Sequence, residues 1–394
     1  MSDALPGWQS TPVTAALLRG WVELEETPHG ILPHRLPAWA RAQWGDPQLL
    51  MAEQQPSGVR LRFRTTATIV ELDALPTKRV YAGMPPRPDG IYDLVIDGRL
   101  AGQSSIPNGK TVRIDLATWS AGAGLNADIV PGTPGTLRFD GLPAGDKTVE
   151  IWLPHDEATE LVALRSNAPL VPCTGGERKR WLHHGSSISH GSNAMHPTGT
   201  WPAVAASLAG VDLLNLGFGG SALLDPFLAR TIRDQAADCI SLKLGINVVN
   251  MDAMRLRAFG PAVHGVLDTI REGHPATPLL LVSPILCPIH EHTPGPSAPD
   301  FSTGQLQFRA SGNPHESASG KLTLTLIRAT LEAIVAQRRR SDPQLHYLDG
   351  RSLYGDADHV RMPLPDQLHP DGATHALIGA RFAAAAFGPG RPFA

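Results

Sequence analysis

Hydrophobic and polar positions follow two different grammars along this chain. In the first part, Val59-Arg60-Leu61-Arg62-Phe63-Arg64 alternates apolar and basic residues, the period-two signature of a half-buried strand. Residues 92–96, 111–116, 136–139 and 147–153 continue the pattern. Asp97-Gly98, Asn108-Gly109 and Asp140-Gly141 punctuate it with residues suited to positive φ. Short strands separated by such turns predict an antiparallel β-sandwich of the jelly-roll kind up to about residue 172. The one helical stretch expected there is 14–18. From Trp181 onward the pattern changes. Short apolar runs at 213–216, 239–244, 279–282 and 345–348 read as buried parallel strands. Longer helical periods at 201–209, 253–272, 322–338 and 372–386 separate them. That alternation predicts an α/β fold: a doubly wound parallel sheet with helices on both faces.

Between the two grammars, Pro172-Cys173-Thr174-Gly175-Gly176 and a charged run through Arg180 read as a solvated linker. The expected domains are therefore 1–175 and 176–394. A chain of 394 residues is long enough to fill two cores. One stretch departs from the short-loop rule. Residues 287–316 carry five prolines, with His290 and His292 among them, and read as a long structureless loop. Such a loop is either a lid in contact with substrate or a passive insertion.

Composition narrows the function. With 42% hydrophobic and 18% charged residues the chain is globular, and a net charge of −3 offers no attraction for nucleic acid or an anionic membrane. No apolar run approaches the ~20 residues that cross a bilayer. The beginning of the chain shows neither a basic start nor an apolar run, and three widely spaced cysteines make no disulfide framework. A cytoplasmic protein is the expectation. The pair His290 and His292 lacks a third ligand at familiar spacing, so no metal and no organic cofactor are expected.

The chemistry lies in four blocks, each placed beyond a predicted strand end or before the last helix. Gly185-Ser186-Ser187-Ile188 sets a serine on a strand-to-helix turn. Asn215-Leu216-Gly217-Phe218-Gly219-Gly220-Ser221 and Gly245-Ile246-Asn247 offer backbone and side-chain amides. Asp366-Gln367-Leu368-His369 places a carboxylate three residues before an imidazole. Together they supply a nucleophile, oxyanion donors, a base and an acid to orient it, the inventory of serine acyl transfer. Read singly, each block has a plainer meaning: a capped turn, a strand-end asparagine, a surface histidine. The glycine-rich turn could also cradle a dinucleotide phosphate, but Ala222 leaves G-x-G-x-x-G incomplete.

In this order the blocks resemble those of the SGNH, or GDSL-like, hydrolases, over residues 181–394. Ser186 stands where that family has aspartate, Ile188 where it has leucine, and Val248 where it often has aspartate. The resemblance implies a flavodoxin-like, three-layer catalytic domain behind the sandwich. It implies Ser187 as nucleophile, His369 as general base and Asp366 as its orienting acid. The oxyanion donors would be the N–H groups of Ser187 and Gly220 and the amide of Asn247. His190, Gly219, His290 and His292 are candidate substrate contacts. The sandwich-plus-SGNH layout is similar to carbohydrate-ester deacylases. It is also similar to a bacterial acyltransferase-like group that includes a salicylyl transferase tailoring a tetracycline. The expected activity is that of an esterase or acyltransferase on small-molecule esters or thioesters. An acyl thioester such as acyl-CoA would serve as donor and an alcohol as acceptor. A carbohydrate-ester deacetylase is the alternative, and a sugar-binding protein the non-enzymatic one. The residues say nothing of oligomeric state.

Overall fold

A computed structural model of the protein describes residues 7–82, 85–114, 127–173, 178–302 and 304–394. The chain divides into two compact units, Met1–Glu177 with His196–Thr198, and Arg178–Met195 with Gly199–Ala394.

The first unit is built from two sheets that share one apolar core. One sheet is led by the long strand Val70–Tyr81, paired with Ala158–Ser166 and Gly135–Phe139. The other centres on Lys147–Trp152 between Arg60–Thr65 and Ile91–Ile96. Leu61 and Phe63 from one sheet and Leu72, Ala74 and Leu164 from the other meet in the same buried cluster. Burying a side chain of this size contributes about 1.5–3 kcal/mol. Asp97 and Gly98 both take positive φ in the turn to Arg99–Ser105, the tight-hairpin geometry their residue types suggested. The pairing is antiparallel except between Val70–Tyr81 and Lys110–Ile114, which run parallel. Of the expected strand 111–116, the last two positions lie outside the described residues, as do 174–177 of the expected linker.

Two expectations for this unit need correction. Residues 15–17 form a turn that leads into the short strand Leu18–Arg19, with no helix. Helices form instead at Ala38–Gln43 and Pro47–Gln54. The second had a visible start signal: the Asp46 side chain accepts from the Leu49 N–H at 2.8 Å, and Pro47 fills the first turn, where its missing N–H is not needed.

The second unit holds five parallel strands in the order Asp212–Gly217, Arg180–Gly185, Cys239–Lys243, Leu279–Val282, Leu345–Leu348. Numbered along the chain that is 2-1-3-4-5, the flavodoxin-like order. Helices cover both faces, as expected for strands buried on both sides. Trp201–Ala209 packs with Gly372–Phe387, and Leu256–Gly273 packs with Pro226–Asp234 and Leu324–Arg338. Trp181, Trp201 and Phe382 fill the first interface, Trp181 stacking on Phe382 with centroids 5.1 Å apart. The helix Pro226–Asp234 escaped the sequence reading, as did the short helices after the first and third strands.

The stretch 287–316 is not structureless. It contains a one-turn helix Pro288–Glu291, an antiparallel hairpin of Ser297–Asp300 with Gln307–Ala310, and a 3-10 helix Pro314–Ser319. Its hairpin strands are short and carry Pro299 and several polar residues, so no apolar alternation announced them. Among the described residues, no helix is long and apolar enough to cross a membrane.

Candidate active site

In a doubly wound sheet, reactive groups collect beyond the carboxyl ends of the strands. Ser187 follows the end of Arg180–Gly185 as the first residue of the short helix Ser187–His190. At that position its N–H has no acceptor within the helix and is available to a ligand. Two neighbours set the turn. Asn215 donates to Ser189 O at 2.9 Å, and its Oδ1 accepts from Gly217 N at 2.9 Å. Gly217 itself has no room for a side chain, because a Cβ there would stand 2.5 Å from His190 N. Beneath the helix, His183 is fully buried between Ser241 Oγ at 2.7 Å and Ser189 Oγ at 2.8 Å. Burial drives its pKa well below the usual imidazole value, and that of His184 down to about 4. Both are neutral supports.

The acid and base arrive on the turn that precedes the last helix. His369 Nδ1–H donates to Asp366 Oδ2 at 2.7 Å, which leaves Nε2 to accept from Ser187 Oγ–H at 2.9 Å. Asp366 Oδ1 accepts the N–H groups of Leu368 at 2.9 Å and His369 at 2.6 Å. Both amides can converge on one oxygen because Gln367 takes the left-handed conformation, φ 68°. Burial alone would raise the Asp366 carboxyl; the His369 imidazole and the two N–H groups outweigh it and hold the pKa below the usual carboxylate range. Ser187 thus meets a histidine 182 positions further on, and through it an aspartate, in one line of hydrogen bonds.

The amide-bearing residues lie beyond the second and third strands. Gly219 and Gly220 follow Asp212–Gly217, Gly220 at φ 74°. Gly219 lies beside Ser187: a Cβ on it would make ordinary contacts, 3.7 Å from His190 Nδ1 and 3.8 Å from Ser187 Cβ. Asn247 is buried at the start of Ile246–Asn250, and its Oδ1 accepts from Ala222 N at 3.1 Å. That bond commits the oxygen and turns the NH2 group the other way, as a donor. Of the candidate substrate contacts, His190 is buried, and its Nδ1 accepts from Gly219 N at 3.3 Å. His290 is buried within the 287–316 stretch, its ring nitrogens engaged by Thr293 O at 3.1 Å and Ser297 Oγ at 2.7 Å. His292 is exposed.

Three contributors were not anticipated. Asn193 Nδ2 donates to Asp366 Oδ2 at 3.2 Å, Phe308 N–H donates to Asp366 O at 2.9 Å, and Cys287 Sγ–H donates to Gln367 O at 3.5 Å. None carries a local signal, because each touches the turn only through tertiary folding.

Residues 178–288 match the model of the GDSL-like Lipase/Acylhydrolase family. This part of the chain is GDSL-like. The GDSL-like unit and the β-rich unit before it together are similar to the Salicylyl-Acyltransferase SsfX3 from a tetracycline biosynthetic pathway. Identity is 28% over 96% of both chains, with a TM-score of 0.77. A putative GDSL-like lipase from Bacteroides ovatus is 18% identical over 95% of this chain and 96% of its own, with a TM-score of 0.66. A family two carbohydrate esterase from Clostridium thermocellum, in complex with cellohexaose, is 13% identical over 83% and 91%, with a TM-score of 0.57. At such identities the last two likenesses speak for the fold. No curated protein matches the chain by sequence. The match of residues 178–288 to a GDSL-like lipase/acylhydrolase model supports an enzyme.

Proposed function

We propose that this protein is a serine acyl-transfer enzyme that acts on small-molecule esters or thioesters through an acyl-Ser187 intermediate. One observation carries the reading: Ser187 Oγ, His369 and Asp366 form a continuous hydrogen-bonded line on a GDSL-like unit. His369 Nε2 takes the Ser187 proton as Oγ attacks the acyl carbonyl. The Nδ1–H bond to Asp366 fixes the tautomer and stabilises the imidazolium that forms. The tetrahedral oxyanion is received by the Ser187 and Gly220 N–H groups and the Asn247 NH2. As the intermediate collapses, the leaving alkoxide or thiolate takes the proton from His369. A water or an alcohol, deprotonated in turn by His369, then attacks acyl-Ser187 and releases acid or a new ester. His369 carries every proton transfer in this scheme, the backbone and Asn247 amides supply only hydrogen bonds, and no cofactor enters it.

The likeness to a salicylyl acyltransferase over nearly the whole chain favours transfer over hydrolysis; the donor we propose is an acyl thioester and the acceptor an alcohol. Intact-mass detection of acyl-Ser187 separates the two outcomes. An adduct that persists in water and is discharged by an added alcohol marks a transferase; rapid discharge by water marks an esterase. Wild type and Ser187→Ala compared on p-nitrophenyl acetate test the site itself. The expected loss is on the order of 10³-fold or more. Equal rates would remove the site from the chemistry. Release of acetate from acetylated xylan by wild type alone would point to carbohydrate-ester deacetylation.

A further inference from the structure

The main chain of the turn that carries Asp366 and His369 is held by the 287–310 stretch, while Asn193 reaches the Asp366 carboxylate. Gln367 is a non-glycine residue at φ 68°, a conformation that persists only where its surroundings enforce it. Its two consecutive carbonyls are both taken up. Asp366 O accepts from Phe308 N–H, and Gln367 O accepts from Cys287 Sγ–H. Both donors belong to the 287–310 stretch. The Phe308 ring in addition meets the His369 imidazole edge-on, with centroids 5.7 Å apart at 77°. His369 therefore has Asp366 and Ser187 on its two nitrogens and an aromatic ring packed against its body.

The segment is itself braced. Phe308 pairs with Pro299 across the hairpin. His290 ties Thr293 to Ser297 within it. Glu291 accepts from Cys287 N at 3.1 Å and is clamped by Arg328, at 2.6 and 2.7 Å, which also donates to Pro284 O and Ile285 O. A prolyl loop without such ties could not hold a ring in one place.

We infer that Phe308 is a positioning residue for His369, and that the 287–310 hairpin is a brace for the acid–base turn. This rests on the proposed role of Ser187 and His369. A ring packed edge-on removes the rotations that would take Nε2 away from Ser187 Oγ, while the Phe308 N–H holds the backbone beneath Asp366. Misplacement of a base by about 1 Å can cost on the order of 100-fold in rate.

The test is the second-order rate at which an alkyl fluorophosphonate labels Ser187, followed by intact mass, with kcat and KM on p-nitrophenyl acetate in parallel. Phosphonylation needs the base but none of the substrate's binding contacts. For Phe308→Ala we expect labelling and kcat to fall together by about 10- to 100-fold, with KM within about twofold of wild type. Phe308→Leu, which keeps an apolar wall and is the variant of choice should the alanine protein melt early, recovers to within about threefold. Arg309→Ala, an exposed neighbour on the same strand, stays at the wild-type rate. Labelling of Phe308→Ala at the wild-type rate, or a change confined to KM, overturns the positioning role and leaves the serine chemistry standing. Absence of label on wild-type Ser187 overturns the serine chemistry, and the positioning role with it.

Discussion

Asn247 is a single side chain committed at its oxygen end. Its oxygen is taken by Ala222 N–H, so its NH2 is left to a ligand, and burial keeps water from competing. Removing an oxyanion donor costs about 2.7–4 kcal/mol of transition-state stabilisation. Asn247→Ala should therefore lower kcat by roughly 10²–10³-fold with little change in KM, measured on any chromogenic ester. Asn247→Asp would lose at least as much, since a carboxylate has no hydrogen to offer. Asp366 carries the complementary case. Its carboxyl is held below the usual range, so it stays ionised as the pH falls through the weakly acidic region. Asp366→Asn should cost on the order of 10⁴-fold in kcat, because the amide can present its NH2 to Nδ1 and favour the wrong tautomer.

The strand-to-helix junctions decide whether these side chains meet. Gly217 ends the second strand with its Cα against the backbone of the helix Ser187–His190. A methyl group there would have to push on His190 N, an atom of the main chain. Gly217→Ala should destabilise by about 1–3 kcal/mol in chemical denaturation and also slow the labelling of Ser187. Gly245 is the parallel case after the third strand. It sits at φ 120°, and a Cβ would come 2.6 Å from Ile327 Cγ2, so both backbone and packing require glycine. The 287–310 hairpin, by contrast, is an element whose sequence gives little notice of it. Its strands are four residues each, with proline in one and charge in both, and its order comes from Glu291–Arg328 and the acid–base turn it touches.

Across the whole molecule, acid and alkali act through different carboxylates. Asp358 is held down to about 2, chiefly by Arg381, and Asp73 and Asp93 are also low because hydrogen bonds from Arg165 and from His196 outweigh their burial. Each contributes stability that is present above its unfolded pKa and lost as the pH falls through the folded one. Glu157 runs the other way. Burial raises it from 4.5 to about 7, against a hydrogen bond from Gly90 N–H at 2.9 Å, and its second oxygen is buried without a hydrogen-bond partner among the described residues. Folding therefore favours its protonated form, and stability declines as the pH rises from 4.5 toward 7. Glu157→Gln, which mimics the protonated acid, should remove that decline. It should raise the denaturation midpoint at about pH 8 by up to ~3 kcal/mol in stability, with little change at about pH 4.5. An equal effect at both pH values would refute the assignment.

The extent of what could be read directly from residues follows from the range of the forces involved. Alternation of period two, apolar runs and turn residues act within a few positions. They marked four of the five parallel strands, the long helices and the change of grammar near residue 172, and they placed Ser187, Gly220, Asn247, Asp366 and His369 at strand ends or before the last helix. The parallel pairing of Val70–Tyr81 with Lys110–Ile114 was not legible, because register is a matter of two strands and not of one. The 2.9 Å approach of Ser187 to His369 spans 182 positions and exists only once the sheet has brought its strand ends to one edge. Asn193, Cys287 and Phe308 reach Asp366 or Gln367 through the same closure. The sequence alone determined which chemical groups are present and the local turns that display them. Only the tertiary structure decided which of them touch, because hydrogen-bond geometry at a few ångströms is set by packing between segments far apart in the chain.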